Sequence, residues 1–143
     1  MKNLKIEPVF LNLFTVLFFS NKLGKRDSEI LSEQLININF TSTIEIKSDN
    51  YFDLKCVARF NQNIIKGKIQ PLFILESLLK KKGIIKIEIK LHSRDEKVYR
   101  IVELHDSIIL NIFGLNGFSY ASDSISEPLE VEFLVKNVKI KNI

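Results

Sequence analysis

Apolar and polar residues alternate along most of this 143-residue chain, and a period of two is that of a β-strand with one dry and one wet face. The clearest run is residues 35–47. Ile36, Ile38, Phe40, Ile44 and Ile46 share one parity, while Asn37, Asn39, Thr41, Thr43, Glu45 and Lys47 share the other. Turn chemistry follows at Ser48, Asp49 and Asn50. Residues 51–60 then alternate again, with Phe52, Leu54, Cys56, Ala58 and Phe60 inward and Asp53, Lys55 and Arg59 outward. The two runs predict an antiparallel hairpin. Cys56 falls on its apolar parity, which makes it a small core residue and not a nucleophile.

The same pattern recurs downstream. Ile85, Ile87, Ile89 and Leu91 alternate with Lys86, Glu88, Lys90 and His92; a polar turn at 93–96 leads to a strand over 97–104. His105, Asp106 and Ser107 interrupt, a short apolar strand covers 108–113, and Gly114 and Gly117 mark a bend before 118–121. After a serine- and acid-rich loop at 122–128, Leu129, Val131, Phe133 and Val135 form the last strand. Its parity changes afterwards to Val138 and Ile140, as a bulge near Lys136 and Asn137 or a projecting arm would require. Residues 10–19 are apolar on both parities and read as a strand buried on both faces, with helix the alternative.

Period 3.6 replaces period two in one place. Pro71 opens a helix whose buried stripe is Leu72, Leu75, Leu78 and Leu79. Lys80, Lys81 and Lys82 suit the negative end of its dipole, and Gly83 is placed to cap it. Residues 27–34 read as a short helical turn with Asp27 or Ser28 as N-cap, and 61–70 as a connector. The expected fold is mainly β (α+β): an antiparallel barrel or sandwich of about seven strands with one helix packed on it. The length fits a single domain spanning residues 1–143.

Composition narrows function mostly by exclusion. One cysteine permits no intrachain disulfide, and with only two histidines it forms no zinc-ligand spacing. Twenty-one Lys and Arg against seventeen Asp and Glu give a net charge of +4, which permits an acidic partner without requiring one. The apolar stretch 9–19 is too short for a membrane helix. Glu7 and Pro8 precede it and no small-residue cleavage site follows, which argues against a signal peptide.

No phosphate-binding glycine loop, HExxH, GxSxG or CxxC motif occurs. His105, Asp106 and Ser107 are adjacent in sequence, whereas catalytic triads are assembled from separate elements, so a solvated turn is the reading. The carboxylates lie in turns or on outward faces. Tyr51, Lys55, Arg59, Tyr99 and Arg100 are the nearest approach to a base-stacking platform, but the chain lacks tryptophan and most phenylalanines take core parity. No catalytic, cofactor or metal constellation is expected, and an enzyme is the least favoured class.

Three stretches resemble the tail tube proteins of contractile-tailed bacteriophages and related contractile injection systems. "EPVFLNLFTVLFF" with "SEILSEQLININF" resembles the family's first strand and the passage to its second. "STIEIKSDNYFDLKCVARF" with "PLFILESLLKK" resembles its central strand pair and helix. "YRIVELHDSIILNIFGLNGFSYASDSISEPLEVEFLVKNVKI" resembles its strand, short crossing, bend, loop and last strand. The chain departs from the family in lacking a proline between Ser107 and Leu110 and in running on through Lys139 and Lys141.

The resemblance implies a structural subunit of a tube: six-fold rings closed by edge-to-edge strand pairing and stacked around a lumen, with the baseplate-proximal initiator as a variant. Implied partners are other copies, sheath and baseplate proteins, a tape-measure protein and transiting DNA, in a virion tail assembled in the host cytoplasm without membrane insertion. The strand at 35–47 is the candidate lumen lining, through Asn37, Asn39, Thr41, Thr43 and Glu45. A polar, nearly uncharged face lets a polyanion pass, whereas lysine contacts to phosphate would hold it. The alternative is a small non-enzymatic β module that binds nucleic acid or a protein partner.

Overall fold

The computed structural model describes residues 13–41, 51–114 and 127–143, with backbone alone at 51–53. Among these residues eight strands and two helices follow in the order β1 (Phe14–Phe19), α1 (Lys25–Gln34), β2 (Leu35–Phe40), β3 (Tyr51–Phe60), β4 (Ile64–Ile65), β5 (Lys68–Ile69), α2 (Gln70–Lys80), β6 (Ile85–His92), β7 (Val98–Phe113) and β8 (Leu129–Asn142). Six strands form one antiparallel sheet, β1-β6-β7-β8-β3-β2, that curls into a half-barrel; β4 and β5 form a separate hairpin. The expected mainly-β architecture holds, with a second helix and the small hairpin added.

β7 and β8 are long enough to serve two half-sheets. The first half of β7 lies between β6 and the end of β8, with β1 beyond β6; the second half of β7 pairs with the first half of β8, which continues to β3 and β2. Register explains the core. On one half the inner rows are Phe18–Ile87–Leu104–Val138 and Val16–Ile89–Val102–Ile140; on the other they are Ile109–Phe133–Cys56–Phe40 and Ile112–Val131–Ala58–Ile38. Leu31 of α1 and Ile74, Leu75 and Leu78 of α2 join the same buried cluster. Each fully buried aliphatic or aromatic side chain contributes on the order of 1.5–3 kcal/mol.

Several expectations are corrected. His105, Asp106 and Ser107 do not interrupt a strand: β7 runs through them, and Asp106 takes a left-handed φ of 52°. Relative to β6 the strand carries one extra residue there, since Ile87 faces Leu104 while Ile85 faces Ser107. β8 changes parity at the same level, from Val135 to Val138, without losing register with β7. The shift at Lys136 and Asn137 is therefore shared by two strands, and it marks where one half-sheet passes into the other.

α1 is a full helix from Lys25, longer than the short turn expected from Asp27. Gly24 occupies its N-cap without a side-chain bond, so neither Asp27 nor Ser28 caps it. In α2 the buried stripe is Pro71, Ile74, Leu75 and Leu78, whereas Leu79 is 37% exposed and Leu72 only partly covered. The α2 terminus is a Schellman turn: the Lys82 amide donates to Leu79 O and the Gly83 amide to Leu78 O. Lys82, at φ 51°, takes the left-handed position expected of Gly83. Gly83 occupies a tight space instead: a Cβ there would lie 3.2 Å from Leu78 Cδ2, closer than ordinary contact.

The connector at 61–70 contains the β4–β5 hairpin, turned by Lys66 and Gly67 at φ 52° and 78°. The expectations for residues 10–12, 42–50 and 115–126, among them the inward Ile44 and Ile46, lie outside the described residues, as does the side chain of Phe52.

Candidate assembly surfaces

A β-sheet that ends in an unpaired strand exposes main-chain donors and acceptors, which a folded protein covers or uses. Among the described residues the sheet ends in β1 on one side and β2 on the other. α1 lies against β1, and the Ser28 hydroxyl donates to the Phe18 carbonyl, so that edge is partly covered. β2 pairs only with β3 among the described residues.

The Thr41 amide and hydroxyl both donate to Lys55 O at 3.1 Å, which ties the end of β2 to β3. Main-chain groups alternate in direction along a strand, so the amides of Phe40 and Ile38 point to the unpaired side. Near its start β2 bulges. Leu35 faces Phe60 and Asn37 faces Arg59, leaving Ile36 as the extra residue, 39% exposed instead of buried.

The proposed lumen residues divide. Asn37 and Asn39 share the face away from the core, with Asn39 Nδ2 donating to Asn37 Oδ1 at 3.5 Å. Thr41 is exposed at the end of β2. Thr43 and Glu45 lie outside the described residues.

Register adds neighbours that one strand's pattern could not supply. Across β7, β8, β3 and β2 the outer rows read Phe113–Glu130–Arg59–Asn37 and Asn111–Glu132–Val57–Asn39, with Ile108, Leu134 and Lys55 beside Thr41. Arg59 pairs with Glu130 at 3.5 Å, and Asn111 donates to Glu132 at 3.3 Å. Lys55 and Arg59 thus balance Glu130 and Glu132 in charge, on a face that also carries Phe113, Val57, Ile108 and Leu134. Lys55, Arg59, Glu130 and Glu132 already carried outward parity in the sequence; their alignment into rows depended on register.

The outer face of the other half-sheet differs. Its rows are Leu17–Glu88–Glu103–Lys139 and Thr15–Lys90–Ile101–Lys141, with Phe19 facing Lys86 and His105 facing Asn137. Glu103 is nearly buried under lysine stems. Lys86 Nζ lies 3.0 Å from its carboxylate, Lys141 Nζ 3.2 Å and His105 Nε2 3.3 Å. Burial opposes the charge, but hydrogen bonds from Lys86, His105 and Lys141 outweigh it and hold the Glu103 carboxyl at about 2. The hydrogen bond to Glu103 in turn raises the Lys86 ammonium above its ordinary value.

The groups weighed for chemistry do not converge. Ser107 is buried and donates to Leu104 O, His105 faces outward to Glu103, and Asp106 is exposed on the bulge. Cys56 is fully buried, and burial pushes its thiol up to about 12. Tyr99 and Arg100 sit at the opposite end of β7 from the row containing Arg59, so they form no common platform with it. Among the described residues no helix is long and apolar enough to cross a membrane.

Comparison with known proteins places the fold. No family model matches the chain, and no curated protein matches it in sequence. Solved structures do match over almost the whole length. A chain of the anti-feeding prophage (AFP) baseplate superposes with a TM-score of 0.62 at 10% identity, covering 96% of this chain and 98% of that one. A chain of an extracellular contractile injection system, the PVC sheath-tube complex in the extended state, gives 0.56 at 15% identity, covering 95% and 93%. An Hcp protein gives 0.53 at 14% identity, covering 91% and 99%. The chain has the fold of Hcp and the tube proteins of contractile injection systems.

Proposed function

We propose that this chain is a structural subunit of the tube of a contractile injection system or phage-type contractile tail, acting as a single tail-tube-like domain without turnover or cofactor. The observation that carries the reading is near-full-length agreement, in both directions, with chains of a baseplate and a sheath-tube complex. The β2 edge, which pairs with β3 alone among the described residues, and the charge-balanced outer face beside it support the same reading.

In this account copies close into a six-fold ring in which the β2 edge takes a strand of its neighbour. Rings stack into a tube, with the tube initiator at the baseplate as a variant. The face carrying Asn37, Asn39, Thr41, Arg59 and Glu130 lines the lumen, and the sequence pattern assigns Thr43 and Glu45 the same role. Sheath and baseplate proteins surround the tube in a tail assembled in the host cytoplasm, and a tape-measure protein and DNA or an effector occupy its interior.

Edge pairing adds main-chain hydrogen bonds of about 1 kcal/mol each, which are insensitive to salt. Binding to nucleic acid through lysines weakens steeply as salt rises. Sedimentation of the purified protein with and without duplex DNA, across a salt series, separates the two. Oligomers that persist at high salt with weak DNA binding throughout support the conduit. A monomer that binds DNA tightly only at low salt supports the binding-module alternative.

A further inference from the structure

The two outer faces are not equivalent in charge. Beside β2, Lys55 and Arg59 balance Glu130 and Glu132 in number, whereas in the strand rows of β1, β6, β7 and β8 four lysines (Lys86, Lys90, Lys139 and Lys141) stand against Glu88 and Glu103. Glu103 is already shared between Lys86, Lys141 and His105, and Glu88 between Lys86 and Lys90. The face therefore holds more cationic donors than its own carboxylates can satisfy.

An apolar feature adjoins this face. An open groove of about 700 Å³ lies between the end of β1, the start of β6 and α1; Leu17, Phe19, Leu23 and Ile84 form its apolar lining, with Lys25, Glu29 and Asp106 also on its wall. Phe19 is 45% exposed and Ile84 58%, large values for side chains of their size. Lys86 belongs to both features: it lines the groove, its ammonium lies 5.5 Å from the Phe19 ring centroid, and it binds Glu103. Three strand spacings separate β1 from β8, roughly 14 Å, which four or five extended residues span.

We propose that this face docks an acidic segment of a partner protein, which seats an apolar side chain against Phe19 and Ile84 and sets its carboxylates on Lys90, Lys139 and Lys141. Charge complementarity selects the acidic partner and the groove selects a protein one. Nucleic acid fits less well, because the apolar groove offers a seat to a side chain and nothing to a phosphate backbone. The proposal draws on neither the β2 edge nor the charge-balanced face beside it.

The test uses the full chain and a labelled peptide of about eight residues in which leucine alternates with glutamate, a length that crosses the face. Fluorescence anisotropy is read for wild type, the double variant Lys139→Glu/Lys141→Glu, Phe19→Ser and Lys55→Glu, each checked for folding by circular dichroism. Losing two charge pairs is expected to weaken binding about tenfold or more. Phe19→Ser weakens it as well, Lys55→Glu on the opposite face leaves it unchanged, and carbodiimide joins the peptide to lysines of this face. A peptide with serine in place of leucine binds more weakly. No binding by wild type, equal binding by the double variant, or tighter binding of duplex DNA than of the peptide overturns the proposal. Failure of ring assembly leaves it standing, and failure of peptide binding leaves the tube reading standing.

Discussion

Phe18 on β1 and Phe60 on β3 meet with ring centroids 5.8 Å apart, although β6, β7 and β8 lie between their strands in the sheet. Strands four positions apart in a flat sheet would be about 19 Å apart. The contact therefore spans the hollow of the curled sheet and joins the two half-sheets across the core. Both rings are almost completely buried.

Phe60→Ala should cost about 3–5 kcal/mol, the range for truncating a fully buried aromatic ring. Phe18→Ala should cost a similar amount, and the double variant less than the sum, because the two share one contact. Urea unfolding of the three variants measures this; strict additivity would mean that the half-sheets are held together elsewhere.

Two leucines on α2 separate the observed stripe from the expected one. Leu75 is fully buried, so Leu75→Asp buries an unpaired charge and should abolish folding. Leu79 is 37% exposed, and Leu79→Asp should leave a folded protein within about 1 kcal/mol of wild type. Circular dichroism and solubility distinguish the pair.

Lys82 holds a left-handed φ that glycine adopts without steric cost. Lys82→Gly should raise stability by up to about 1 kcal/mol, the relief of the Cβ clash being offset in part by a freer unfolded chain. Gly83→Ala should have the opposite sign, because its Cβ would press on Leu78. Thermal melts of both variants are sufficient.

Glu103 sets an acid-sensitive contribution. Its folded carboxyl is held at about 2 against an ordinary 4.5, so the unfolded chain takes up the proton first as pH falls. The stabilisation is complete above pH 4.5 and is lost as pH drops toward 2. Glu103→Gln should therefore be less stable than wild type at neutral pH, with the gap closing across that interval. A gap that is constant with pH would show that the lysine cluster acts through packing alone.

The alternation made the sheet readable because burial on one face writes itself into parity. Cys56, Ala58 and Phe60 fall inside for that reason, as do Ile85, Ile87 and Ile89. Bulges defeat the same logic. Ile36 carries core parity yet is pushed out by one extra residue, and the bulge at Asp106 looked like a break because its polar residues sit where two half-sheets meet. The hairpin turned by Lys66 and Gly67 leaves no periodic signal, because its strands are only two residues long. The assembly faces depend on register between strands distant in sequence: Arg59 finds Glu130, and Glu103 finds Lys86 and Lys141, only after the strands pair.

The edge itself can be altered without touching the ladder behind it. Ile38→Pro removes an amide that points to the unpaired side of β2 while leaving the bonds to β3 in place. Negative-stain microscopy of purified wild type and Ile38→Pro, in low salt and in roughly 1 M salt where surface charge is screened, tests the central claim most directly. Closed rings or stacked tubes from wild type in both salts, and folded, dispersed monomers from Ile38→Pro, are the predicted result. Dispersed wild-type monomers at high concentration, or rings unaffected by the proline, would contradict assembly through the β2 edge.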